Sequence, residues 1–214
     1  MRTVTAAQTR PTTRGERARA RPREILAAAR ELFARKGFET ARMDEVAAAV
    51  GVTKPAVYRY FPSKDRLIEA LLEEDLAEPA RAVVRWVDEH PGPISDMVAG
   101  FSERVEQLQS TGLTRRYLML AMDEAGRRPE IAGFIRREVL APGLVALARA
   151  FERAMTRGEL AAGNDPLLMA RLFYAPFLQT SLGAVGYALP MDDAVERGHY
   201  RAFHVAAFLR AFAP

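Results

Sequence analysis

Residues 51–64 read Gly51-Val52-Thr53-Lys54-Pro55-Ala56-Val57-Tyr58-Arg59-Tyr60-Phe61-Pro62-Ser63-Lys64. Gly51 supplies the positive φ that ends a preceding helix, Thr53 is placed to cap a new one, and Pro55 falls in its first turn, where a missing N–H costs little. On a 3.6-residue period Val57 points inward, while Lys54, Ala56, Tyr58, Arg59 and Tyr60 spread over the outer surface and its flanks. A short capped helix that carries charge, flat rings and hydroxyls on its outside suits contact with DNA.

Working outward from this stretch, Ile25, Leu26, Ala29, Leu32 and Phe33 recur at helical spacing and predict a first helix from Pro22, closed by a left-handed cap at Gly37. Thr40 is placed to cap a second helix, with Asp44 and Glu45 near its positive dipole end and Met43, Val46, Ala47 and Val50 facing in. The link from Gly51 to Thr53 is too short for anything but a helix-turn-helix corner. Downstream, Ser63 caps a fourth helix carrying Leu67, Ile68, Leu71, Leu72 and Leu76. From Pro79 onward the periodicity stays helical, with breaks at Pro91-Gly92-Pro93, Thr111-Gly112, Gly126 to Pro129, Arg157-Gly158, Gly163 to Pro166 and Leu189-Pro190. No segment reads as a strand. The prediction is an all-α chain: a three-helix helix-turn-helix domain at 22–66, then a helical bundle at 67–214.

The last two predicted helices, 166–188 and 191–212, are apolar on more than one face, which is more than one chain can cover. Leu172, Phe203, Phe208 and Leu209 are therefore assigned to a homodimer interface. Pro176 sits inside the first of these helices and predicts a kink.

At 214 residues and 49% hydrophobic content the chain can bury a sizeable core, enough for one large domain or two modest ones. The absence of cysteine excludes disulfides, thiolate catalysis and cysteine-held metals. No apolar run approaches the ~18–20 residues of a membrane span, and the first twenty residues lack the apolar centre of a secretory signal. A cytoplasmic protein without membrane partners is expected. The formal net charge of +4 conceals an asymmetry: residues 1–64 hold 14 Lys+Arg against 6 Asp+Glu, and residues 65–214 hold 17 against 21. The basic N-terminal part is the candidate nucleic-acid face. All three lysines, Lys36, Lys54 and Lys64, lie in it, whereas the 28 arginines spread along the chain in a usage that reflects a GC-rich genome rather than function. Residues 1–21, basic and without apolar periodicity, predict a mobile tail that is either a solvated leader or an arm that follows the phosphate backbone or enters a minor groove.

Chemistry has little to stand on. His90 sits in a Pro/Gly loop, and His199 and His204 are five apart rather than at i and i+4. There is no glycine-rich phosphate loop and no serine elbow, and Glu73-Glu74 and Asp192-Asp193 read as solvated or capping acids. No catalytic residue, metal or cofactor is predicted.

Four runs, Ala-Arg-Glu-Leu-Phe-Ala-Arg-Lys-Gly-Phe at 29–38, Met-Asp-Glu-Val-Ala-Ala-Ala-Val-Gly-Val at 43–52, Lys-Pro-Ala-Val-Tyr-Arg-Tyr-Phe at 54–61 and Ser-Lys-Asp-Arg-Leu-Ile at 63–68, closely resemble the DNA-binding domain of the TetR/AcrR family of bacterial transcriptional regulators. The resemblance implies a homodimer that lays one third helix per subunit into successive major grooves of a palindromic double-stranded DNA operator. It also implies a small-molecule effector in the C-terminal bundle, most simply acting to release a repressor. Lys54, Pro55, Ala56 and Arg59 stand where the family reads base edges, and Thr53, Tyr58, Tyr60 and Lys64 stand where it grips phosphates. Arg42, near the start of the second helix, adds a phosphate contact aided by that helix's dipole. Tyr58 and Tyr60 read equally as packing residues, and Lys64 as a solvated cation beside a capping serine. For the effector, Met97, Phe101, Met119, Met122, Phe134, Met155, Tyr174 and Phe177 supply adaptable and aromatic surface, with Asp123, Glu124 and Gln179 as polar partners. The fourth helix, which joins the reading head to the bundle, is the expected transmission.

Overall fold

The computed structural model describes residues 14–124, 126–183 and 194–214, and every regular element among them is helical. In chain order these are α1 (Arg14–Lys36), α2 (Met43–Val50), α3 (Lys54–Tyr60), α4 (Lys64–Leu72), α5 (Glu78–Glu89), α6 (Ile94–Ser110), α7 (Leu113–Asp123), α8 (Pro129–Phe134), α9 (Ala141–Thr156), α10 (Pro166–Gly183) and α11 (Ala194–Ala211). Two π-helical turns interrupt the pattern, Glu73–Ala77 between α4 and α5 and Ile135–Leu140 between α8 and α9. The chain divides into two compact units, one up to Leu71 and one from Leu72.

In the first unit α1 packs on α2 and α2 on α3. The stripe Ile25, Leu26, Ala29 and Leu32 is buried, as are Met43, Val46 and Ala47 of α2, Val57 of α3 and Leu67 and Ile68 of α4. Helix α1 starts at Arg14, ahead of the expected Pro22, and passes through that proline. Arginine and alanine are strong helix formers, and they carry the helix across residues 14–21 that had been assigned to a tail. The rest of that tail, residues 1–13, and the expected break at Leu189-Pro190 lie outside the described residues. Helix α2 is capped at Arg42 rather than Thr40. Glu45 makes this cap: its carboxylate accepts the Arg42 backbone N–H at 3.0 Å, and it also pairs with Lys36 at the end of α1. Both contacts hold its carboxyl below the usual range, the Lys36 hydrogen bond most of all.

In the second unit α9 packs against α5 and α10, and α11 against α6 and α10. Phe101, Phe151 and Phe173 are fully enclosed at the centre, surrounded by Val87, Val98, Leu147, Met169, Phe177 and Phe208. Buried positions step from Leu72 to Leu76 and Ala77 and then to Ala80, Val83 and Val87. Leu72, Leu76, Ala80, Val83 and Val87 follow helical spacing, so the apolar stripe faces inward on both sides of the π-helical turn. The proline and glycine clusters at 91–93 and 111–112 fall between helices, and those at 126–129 and 163–166 end on Pro129 and Pro166, the first residues of α8 and α10. Helix α10 continues through Pro176.

Candidate nucleic-acid interface and bundle cavity

Helix α3 owes its placement to its two ends. Gly51 adopts φ 71°, and the following residue, Val52, donates its N–H to Ala47 O at 3.0 Å, which closes α2. Thr53 occupies the N-cap of α3 in extended conformation, and Pro55 lies in the first turn. Val57 anchors the helix at 0% exposure, with Phe61 buried behind it. The opposite face carries Lys54, Pro55, Tyr58 and Arg59, all exposed, with Thr53 exposed before it and Ala56 and Tyr60 half-buried at its edges. Tyr58 is 39% exposed, which fits a surface role better than packing. The Arg59 guanidinium lies over the Tyr60 ring at 5.1 Å and donates to its hydroxyl at 3.4 Å, so ring and cation hold one another in place. The Lys54 ammonium sits 6.0 Å from the Tyr58 ring centre.

Arg42 is exposed at the N-cap of α2. Lys64 follows Ser63, whose hydroxyl accepts the Arg66 N–H at 3.1 Å and so caps α4. The Lys64 ammonium donates to Glu39 O at 2.9 Å and lies over the Phe38 ring at 4.4 Å. It is therefore engaged in holding the link before α2, a role that residue type and spacing alone did not reveal.

The second unit holds a cavity of about 120 Å³ between α5, α6, α7, α9, α10 and the two π-helical turns. Phe101, Tyr174 and Phe177 form its aromatic wall, with Val84, Leu118 and Val139 among the aliphatic side chains. Burial pushes the Tyr174 phenol up to about 12. The remaining side chains proposed for a pocket sit elsewhere. Met97 is buried in the core, Met155 packs against it, Met119 is 41% exposed, and Met122 and Phe134 are half-buried off the cavity. Glu124 is buried but paired with Arg127 and Arg128, Asp123 is exposed, and Gln179 does not line the space. The polar lining is instead Asp75, Gln109, Thr114 and Ser181. Asp75 was missed because nothing in Glu73-Glu74-Asp75 signals the π-helical turn that orients it.

Of the proposed interface residues, Leu172 and Phe203 are 57% and 66% exposed, whereas Phe208 is buried at 4% against Phe151, Phe173 and Phe212. Leu209 is half-buried against the same core. Phe203 and Phe208 are five residues apart, about 140° around a helix, so they cannot share a face. Phe208 belongs to the core. Among the described residues no group of three His, Asp or Glu side chains could hold a metal, and no helix is long and apolar enough to cross a membrane. His204 is spent on the core, stacked on Phe173 with its Nε2 2.9 Å from Phe173 O.

Comparison with known proteins agrees with this arrangement. Residues 25–71 match the model of the tetR family of bacterial regulatory proteins, and residues 91–197 match that of a tetracyclin repressor-like C-terminal domain. The chain is 26% identical over 149 residues to the HTH-type transcriptional regulator UidR of Escherichia coli K12, covering 69% of this chain and 73% of UidR. It is 28% identical over 116 residues to the HTH-type transcriptional activator FasR of Mycolicibacterium smegmatis, covering 53% of this chain but only 51% of FasR. A crystal structure assigned to the TetR family from Mesorhizobium loti superposes with a TM-score of 0.72 at 23% identity, covering 92% of this chain and 99% of that one. The helix-turn-helix unit, the helical bundle that follows it in the chain and both family matches lead to one conclusion: the chain belongs to the TetR family of bacterial transcriptional regulators.

Proposed function

We propose that the protein is a cytoplasmic homodimeric repressor that binds a two-fold symmetric operator through α3 and is released when a small molecule fills the bundle cavity. The observation that carries this reading is the outer face of α3. There an anchored backbone presents Lys54, Tyr58 and Arg59 outward on a helix whose opposite side is fully buried. Arg59 forks onto guanine O6 and N7, Ala56 and Pro55 meet thymine methyls, and Thr53, Tyr58 and Tyr60 reach backbone oxygens. Arg42 adds a phosphate contact from the start of α2, and Lys64 a weaker one because it also serves Glu39 O. Two such helices must match grooves roughly 34–36 Å apart, so dimerisation is part of specific binding.

The exposed apolar side chains of the second unit support the dimer. Leu168 and Leu172 of α10 and Val195 and Phe203 of α11 are large apolar side chains left exposed, surface that a second copy of the chain would cover. The cavity supports effector control, since its wall includes the π-helical turn that follows α4 directly in the chain. A coupling of about 1–3 kcal/mol suffices for such a switch. The test is to pass sheared genomic DNA over the purified protein at near-physiological salt and sequence what is retained. A single enriched two-fold site, with transcription beside it rising when the protein is deleted, is the expected result. Diffuse retention overturns specific regulation, and falling transcription makes the protein an activator.

A further inference from the structure

The polar groups around the cavity differ in what they still have to give. We propose that the effector is a neutral molecule of one ring with a short substituent, and that the substituent carries a hydrogen-bond acceptor, a carbonyl above all, received by the Tyr174 hydroxyl. The proposal rests on reading the bundle as an effector domain.

Three observations carry it. The first is shape and surface. The Phe101 ring lies 6.0 Å from Tyr174 and 5.8 Å from Phe177, and valine, leucine and isoleucine side chains make most of the remaining wall. At about 120 Å³ the space is comparable with the ~150 Å³ apolar cavity that accepts benzene in another protein, which sets the guest at one ring.

The second is the account of side-chain hydrogens. The Gln109 amide donates to Phe177 O at 2.9 Å and to Ser181 Oγ at 2.8 Å. The Ser181 hydroxyl donates to Phe177 O at 3.0 Å and the Thr114 hydroxyl to Leu108 O at 3.4 Å. Asp75 is engaged within the protein as well, by the Tyr117 hydroxyl and by a further contact. Tyr174 differs: it lines the cavity, and among the described residues no group accepts its hydroxyl hydrogen. Burial alone pushes this phenol up to about 12, so at neutral pH it keeps its proton and remains a donor. A donor left unpaired inside a protein is costly, and a guest that brings an acceptor to it recovers that cost. A guest that only donates leaves the hydrogen unspent.

The third is charge. Among the described residues no lysine, arginine or histidine lines the cavity. A carboxylate or phosphate would exchange its hydration for one neutral hydroxyl, and an ammonium brings no lone pair to that hydroxyl, so an apolar site receives either ion poorly. A carbonyl takes up the Tyr174 hydrogen with far less hydration to lose.

The experiment is isothermal titration calorimetry of the full chain at pH 7 with four probes of similar size: acetophenone, isopropylbenzene, benzoate and benzylamine. Acetophenone is expected to bind at least about tenfold tighter than benzoate or benzylamine, which carry a charge into the site. Tyr174→Phe keeps the ring and removes only the hydroxyl. It should weaken acetophenone about fivefold, the worth of one neutral hydrogen bond, and leave isopropylbenzene within about twofold. Acetophenone binding that is unchanged in Tyr174→Phe, or a loss shared equally by isopropylbenzene, overturns the role of Tyr174. Benzoate or benzylamine binding as tight as that of acetophenone overturns the neutral class while leaving the cavity a ligand site. If none of the four binds, the effector reading of the cavity itself fails, while the operator stands or falls by the genomic DNA selection. A further measurement needs no variant: the carbonyl stretch of isotope-labelled acetophenone bound to the wild-type protein should lie at lower frequency than in hexane, and an unshifted band overturns the hydrogen bond.

Discussion

Arg59 illustrates how a single side chain is prepared before any DNA arrives. Its guanidinium rests on the Tyr60 ring, and both stand on a turn anchored by fully buried Val57. Little rotamer freedom remains to be lost on binding, which favours base reading over loose attraction. Arg59→Ala is expected to cost about 1–3 kcal/mol at the cognate site and to relax preference at one operator position. Arg42→Ala, which removes a phosphate contact, is expected to weaken all sequences alike and to lower the salt slope by about one. Selection from randomised operators at two salt concentrations separates the two. Gly143 offers a second residue-scale test in the bundle. It lies inside α9 on the cavity wall, and a Cβ built there meets Tyr174 at 4.0 Å, ordinary contact distance. Gly143→Ala is expected to raise stability by about 0.5–1 kcal/mol through helix entropy, read by urea unfolding, while narrowing the cavity.

Helix ends explain more of the architecture than helix interiors do. Pro93, the N-cap of α6, has no side-chain acceptor, and the vacancy is filled from 65 residues away: Glu159 accepts the Ile94 N–H at 2.5 Å. The Arg157 guanidinium beside it, and then that backbone N–H, hold the Glu159 carboxyl below the usual range. Because the folded value is lowered, the stabilisation is present above the unfolded pKa of about 4.3 and is lost as pH falls through the folded value. Glu159→Gln is expected to cost about 1 kcal/mol at pH 7, the scale of a lost cap, and the gap in thermal midpoint from wild type should narrow steadily as pH falls below the unfolded value. A gap that does not change with pH would assign the loss to packing instead. This long-range cap was not legible in the sequence, because glutamate at 159 gives no hint of its partner at 94. The local caps were: Gly37, Gly51 and Ser63 end or start helices where their backbone chemistry requires, with φ of 79° and 71° at the two glycines. Thr40 misled because the residues after it are not yet helical, and the acid that completes the cap lies at Glu45, pointing back to Arg42.

At the scale of the molecule, punctuation was readable and facing was not. Proline and glycine act locally, so breaks between helices and the all-helical class could be read directly, and the four quoted runs carried the DNA-binding unit. Which side of a long helix faces the core depends on partners far away in the chain. Helix α10 is apolar around most of its circumference, and α11 mixes apolar and charged residues without a strong one-sided pattern, which leaves too little contrast to choose a buried stripe. Phe208 was misassigned for that reason, and the aromatic wall of the cavity was only partly anticipated because methionines fill core gaps as readily as they line pockets. The corrected assignment makes a sharp contrast between two phenylalanines of one helix. Phe203 is 66% exposed and Phe208 is 4% exposed. Phe203→Glu combined with Leu172→Glu removes apolar surface that a second copy of the chain would cover. It should give a folded monomer by sedimentation, with an unchanged far-ultraviolet helical signal and operator affinity reduced at least a hundredfold, since one head forgoes the roughly 3 kcal/mol or more of tethered binding by the other. Phe208→Glu drives a charge into a shell of Phe151, Phe173 and Phe212 and should cost more than about 4 kcal/mol, enough to unfold the bundle. A double variant at 172 and 203 that stays dimeric would move the interface off α10 and α11, and a folded, monomeric Phe208→Glu would return that residue to it.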